Sequence, residues 1–104
     1  VNKVDAKAAL SIAELRTQVD IIDLQLLESI KKRATLARQM GVIKKDAGAP
    51  LRDTARESTI LEKIIQENRC SEPRLPDSDL ENLYRCLMQI CLKIQESENA
   101  SFNG

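Results

Sequence analysis

The sequence predicts an all-α chain: three helices per chain, one of them very long, forming an intertwined homodimeric helical bundle. Three observations carry this expectation. Apolar residues recur in steps of three and four, and no stretch alternates as a strand would. The residues that break helices gather in two short segments, at positions 41–50 and 73–76, apart from the terminal Gly104. The first apolar stripe is also longer than a chain of 104 residues can bury on itself. The whole of 1–104 reads as a single domain.

The first helix is expected from about Ala8 to about Lys45. Ile12, Leu15, Val19, Ile22 and Leu26 step by 3, 4, 3 and 4, and Ile30, Ala34 or Ala37, and Met40 continue the stripe. Asp46-Ala-Gly-Ala-Pro50 stops it. At about 1.5 Å per residue such a helix is about 57 Å long. A compact chain of this size is only about 33 Å across. Either the helix breaks near Gly41, or its stripe packs on another chain, and the near-heptad seam favours the second.

The second helix is expected over about 53–68, with Asp53 as N-cap and a stripe of Ile60, Leu61, Ile64 and Ile65. Ser71 to Pro76 is a linker with two prolines. The third helix is expected over about 77–96, opened by a capping box at Ser78-Asp-Leu-Glu81. Its core positions would be Leu80, Leu83, Leu87, Ile90 and Ile94, and 97–104 reads as a loose polar tail.

Composition excludes several chemistries. The chain has no His, which removes Ser-His-Asp and Cys-His nucleophile machinery and His-containing zinc sites. Cys70, Cys86 and Cys91 lack paired metal-site spacing, so no metal is expected. Three cysteines that cannot all pair within one chain suit a reducing compartment. Val1 to Lys7 shows no apolar leader core, and a cytoplasmic location is the expectation. No segment has the roughly 20 apolar residues of a membrane span. Tyr84 and Phe102 are the only aromatics, so neither a membrane nor a nucleic acid is an expected partner.

Sixteen basic and sixteen acidic residues balance, but not locally. From Lys31 to Arg56 there are eight bases and two acids, a segment of +6. A basic patch on a neutral chain points to a small anionic ligand. Arg33 and Lys44 interrupt the apolar stripe of the first helix. Eleven residues make about 1100° of turn, so the two share a face about 16 Å apart. An unpaired buried cation is costly, so each needs a carboxylate from the protein or from a ligand. Arg56 shares its face with Ile60 and Ile64, and Cys91 and Gln95 share a face of the third helix. Each has a plainer reading: a snorkelling base, an internal salt bridge, a core filler or a solvated amide. Arg16 and Asp20 could likewise be a surface pair. Together they read as a pocket for a small polycarboxylate held by Arg forks.

Leu15-Arg16, Asp23, Leu26-Leu27, Arg33, Ala37, Gly41, Lys44, Pro50, Arg52-Asp53 and Arg56-Glu57 stand in an order that resembles the all-helical class of chorismate mutases. The resemblance runs from about Ala13 to Gln95. It implies a homodimer of three-helix subunits that rearranges chorismate to prephenate in phenylalanine and tyrosine biosynthesis, with no cofactor. It also implies roles. Lys44 and Gln95 would act on the ether oxygen of the breaking bond, and Lys44 would also hold a carboxylate. Arg33 would bind one carboxylate, and Arg16 would reach a second from the partner chain. Glu57, near Asp53, would take the ring hydroxyl, and Arg56 would support the carboxylate pocket. Cys91 departs from the family, which commonly has Ser four residues before the Gln, and a thiol is the weaker donor. Two other functions compete: an isochorismate-pyruvate lyase of the same fold, and a non-catalytic helical dimerisation or regulatory module.

Overall fold

The computed structural model describes the backbone of residues 2–103 and the side chains of residues 11–97. Three helices follow in order: α1 (Asn2–Asp46), α2 (Thr54–Arg69) and α3 (Asp77–Asn103). The chain divides into two compact units, Val1–Lys32 and Arg33–Gly104. None of the described helices is long and apolar enough to cross a membrane.

In the N-terminal unit every described side chain from Ser11 to Ser29 is exposed, including Ile12, Leu15, Val19, Ile22 and Leu26 of the seam. Among its described residues this unit buries no side chain. α1 does not break at Gly41 but continues to Asp46. Its end is a closed turn. Ala49 N–H donates to Lys44 O at 2.8 Å and Gly48 N–H to Lys45 O at 3.1 Å, with Gly48 at φ 68°. That left-handed conformation is one only glycine adopts without strain. Lys44 and Lys45 in the last turn face the negative end of the helix dipole.

α2 starts as expected. Asp53 Oδ1 accepts from the Arg56 N–H at 2.9 Å, satisfying one of the orphan donors of the first turn. Glu57 in that turn suits the positive end of the dipole. Asn68 ties down the linker to α3, donating to Leu75 O at 2.8 Å and accepting from Leu75 N–H at 3.0 Å.

α3 departs from expectation at both ends. It begins one residue before the capping box, with Leu80 N–H on Pro76 O at 3.1 Å, so Ser78 lies inside the helix. Asp77 in the first turn instead pairs with Arg69 at 2.6 Å and Arg74 at 3.6 Å. The tail expected over 97–104 is helical as far as Asn103, because neither Gly nor Pro occurs between Pro76 and Gly104. The buried face is also turned. Leu80, Met88, Cys91 and Gln95 are buried, whereas Leu83 is 63% and Ile90 43% exposed. Leu87 and Ile94 are half-buried. The C-terminal unit closes around these residues, Ala37 and Gly41 of α1, and Leu61 of α2.

The Arg69 hydrogen bond holds the Asp77 carboxyl below its ordinary 3.8. A depressed carboxyl stabilises the fold above its unfolded pKa and loses that contribution as pH falls through the folded value. The melting-temperature difference between wild type and Asp77→Asn is therefore expected at pH 5 and should shrink as pH falls below 3.8. A difference constant with pH would show that the pair does not link α2 to α3 energetically.

Candidate active site

Seven of the eight positions singled out by the sequence line one cavity of about 100 Å³: Arg33, Lys44, Asp53, Arg56, Glu57, Cys91 and Gln95. The eighth, Arg16, is exposed on α1 in the N-terminal unit. Three local rules bring the seven together. On α1, positions 33, 37, 40 and 44 lie along one face, so Arg33 and Lys44 flank Ala37 and Met40. Asp53 caps α2, which places Arg56 and Glu57 on its first turn. On α3, Cys91 and Gln95 are one turn apart and both buried.

The cations are held by weak or neutral acceptors. Arg33 Nη1 donates to Cys91 Sγ at 3.1 Å, and Lys44 Nζ donates to Leu51 O at 3.0 Å. Among the described residues, Arg33, Lys44 and Arg56 form no ion pair. A guanidinium has five donors and an ammonium three, so most of this hydrogen-bonding capacity is left for a ligand. Arg33 and Lys44 are half-buried, where charge is screened less than at the open surface. Four cations against two anions leave the lining at +2. Gln95, the one buried polar side chain among the described residues, donates from Nε2 to Ala37 O at 2.7 Å.

The sequence did not assign a role to Arg52, which lines the cavity and approaches Glu57 through Nε and Nη2, both at 3.4 Å. Its position just before the N-cap was the available signal. Nor were the Leu51 and Ala37 carbonyls foreseeable, because every residue type carries the same acceptor. A wider groove of about 540 Å³ between α2 and α3 carries mixed charge, and its cations are already paired: Arg69 with Asp77, and Arg85 with Glu81. It lacks the unpaired cations that an anion needs.

Comparison with known proteins agrees with this geometry. The family described as chorismate mutase type II matches residues 15–96. The chain is 32% identical over 94 residues to a bifunctional chorismate mutase/prephenate dehydratase of Aquifex aeolicus, covering 89% of this chain and 26% of that protein. It is 31% identical over 81 residues to a 3-dehydroquinate dehydratase of Pyrobaculum aerophilum, covering 78% of this chain and 23% of that protein. A chorismate mutase of Methanocaldococcus jannaschii is 30% identical over 78 residues, covering 75% of this chain and 77% of that protein. The chain thus spans about a quarter of the length of the first two relatives and about three quarters of the third. With the matched span containing every residue of the cavity, the chain belongs to the chorismate mutase type II family.

Proposed function

We propose that this chain is a chorismate mutase, rearranging chorismate to prephenate for the synthesis of phenylalanine and tyrosine. The observation that carries the reading is the cavity itself. Three cations without an ion pair, Arg33, Lys44 and Arg56, line it with Gln95 and Glu57 in a chain of this family. The reaction breaks an ether C–O bond and forms a C–C bond within one molecule, so no atom leaves and no proton must move. A site without histidine suits it. The protein's task is to hold the flexible enolpyruvyl arm over the ring and stabilise negative charge growing on the ether oxygen.

In this reading Arg33 moves from the Cys91 thiol to one substrate carboxylate, where a charge-assisted bond replaces a weak one. Lys44, close to α2 through Leu51 O, holds a carboxylate and the ether oxygen. Gln95 donates to that oxygen from the α3 side. Glu57 takes the ring hydroxyl, with Asp53 beside it and Arg56 behind the carboxylate pocket. Cys91 stands where a better donor would meet the ring carboxylate.

The functional unit is proposed to be an intertwined homodimer, with Arg16 of a second copy binding the second carboxylate. The exposed seam Ile12, Leu15, Val19, Ile22 and Leu26 supports this, as do the exposed Leu83 and Ile90. A cytoplasmic location fits three unpaired cysteines. The test offers purified protein chorismate and isochorismate separately and separates the products. Prephenate from chorismate is expected. Salicylate and pyruvate from isochorismate alone would make it the lyase, and turnover of neither would leave a non-catalytic module.

A further inference from the structure

We infer that Gly41 is a positioning residue for the reaction: its missing side chain lets Gln95 dock on the Ala37 carbonyl, which aims the Gln95 amide at the cavity. The inference rests on the reading of the chain as a mutase and assigns a role to a residue that touches no substrate.

Gln95 is 6% exposed, and its Nε2 lies 2.7 Å from Ala37 O. A carbonyl only accepts, so the NH2 end of the amide must face α1. The amide is planar, so committing one N–H fixes the direction of the second N–H and of Oε1. Within α1 the Ala37 carbonyl is also the acceptor of the N–H of residue 41. Gln95 therefore reaches an oxygen whose nearest helical neighbour is Gly41. A Cβ on Gly41 would stand 3.0 Å from Gln95 Cγ, 3.1 Å from its Cβ and 3.5 Å from its Cα. These atoms are the stem of a buried residue and the backbone of α3, not the swinging end of a side chain. They have to retreat if residue 41 gains a methyl, and the amide retreats with them. In the ligand-free chain Arg33 on Cys91, one turn before Gln95, ties the same two helices.

The consequence for catalysis is specific. Gln95 acts on charge that develops at the ether oxygen, so misaiming it removes an interaction made mainly in the transition state. The carboxylate-binding cations are untouched. The contact calls for a retreat of a few tenths of an ångström, less than the roughly 1 Å that can cost a hundredfold, so Gly41→Ala is expected to lower kcat about tenfold while KM stays within about twofold. Alanine is the better helix former, so the variant still melts cooperatively.

Two readouts separate positioning from general packing. In a Gln95→Ala background, adding Gly41→Ala is expected to cost less than about twofold in kcat. An equal loss in both backgrounds overturns the inference. The second readout is the Gln95 side-chain amide in ¹⁵N-labelled protein. In wild type its two protons should be well separated and slow to exchange, and in Gly41→Ala they should move toward the values of an exposed glutamine. Unchanged resonances in the variant, or fast-exchanging protons in wild type, overturn it. This spectrum needs no turnover, so a protein that fails to convert chorismate defeats the mutase reading and leaves the docking of Gln95 separately decided. If Gly41→Ala does not fold, the wild-type spectrum still decides, and Gln95 amide protons that exchange fast there overturn the inference.

Discussion

Lys44→Ala is expected to lower kcat/KM for chorismate by about 10²–10³-fold while the helical circular dichroism remains that of wild type. The size follows from the position. Lys44 lies in the last turn of α1, half-buried, with one donor on Leu51 O and no ion pair among the described residues. A preorganised cation aimed at developing negative charge supplies about 2.7–4 kcal/mol when its removal costs that much rate. Folding should tolerate the change. Truncation abandons one part-buried bond to a carbonyl and buries no orphan charge, and the Gly48 turn closes α1 through backbone groups alone. Turnover within twofold of wild type would remove Lys44 from the chemistry, and a collapsed helical signal would assign it to the fold instead.

The second large effect is expected at the seam. Val19→Asp with Ile22→Asp should convert a dimer into a monomer by sedimentation and reduce turnover to background. Both residues are just over half exposed in the single chain, at 52% and 56%. Each buried Val or Ile is worth about 1.5–3 kcal/mol, and an unpaired carboxylate in an apolar contact costs more. Arg16→Ala is the matched control: it should keep the dimer and still lose most turnover, because it deletes only the cation that a second copy lends. A monomeric seam variant with full activity would show that one chain suffices, and Arg16 would then have no role across an interface.

These two expectations draw on different kinds of information. Helix number and order were legible because periodicity, proline and glycine act locally. Asp53 as N-cap needs only its own side chain and the next three residues. The cavity-lining set of Arg33, Lys44, Arg56, Cys91 and Gln95 was legible for a related reason. Charge on an otherwise apolar stripe is conspicuous, and helical spacing assigns it a face. A break near Gly41 was the alternative to the continuous first helix, and α1 runs through that position to Asp46. That glycine accommodates Gln95 rather than a bend. The apolar core of the third helix was read through Leu83 and Ile90, which the structure leaves exposed, and without Met88, which it buries. Leu, Ile, Met and Cys all suit a core, so hydrophobicity alone could not choose between adjacent faces.

The sequence by itself determined what is local and what is chemical. Those are an all-helical chain, its punctuation, a basic segment hidden in a neutral total, and a repertoire that excludes histidine-based catalysis. Only the tertiary structure decided which acceptor each polar group meets. Arg33 meets the Cys91 thiol, Lys44 the Leu51 carbonyl, Arg52 the Glu57 carboxylate and Gln95 the Ala37 carbonyl. Two of those acceptors are backbone oxygens, which every residue carries alike. Gln95 finds Ala37 O where α3 passes α1 so closely that a Cβ on Gly41 would stand 3.0 Å from Gln95 Cγ.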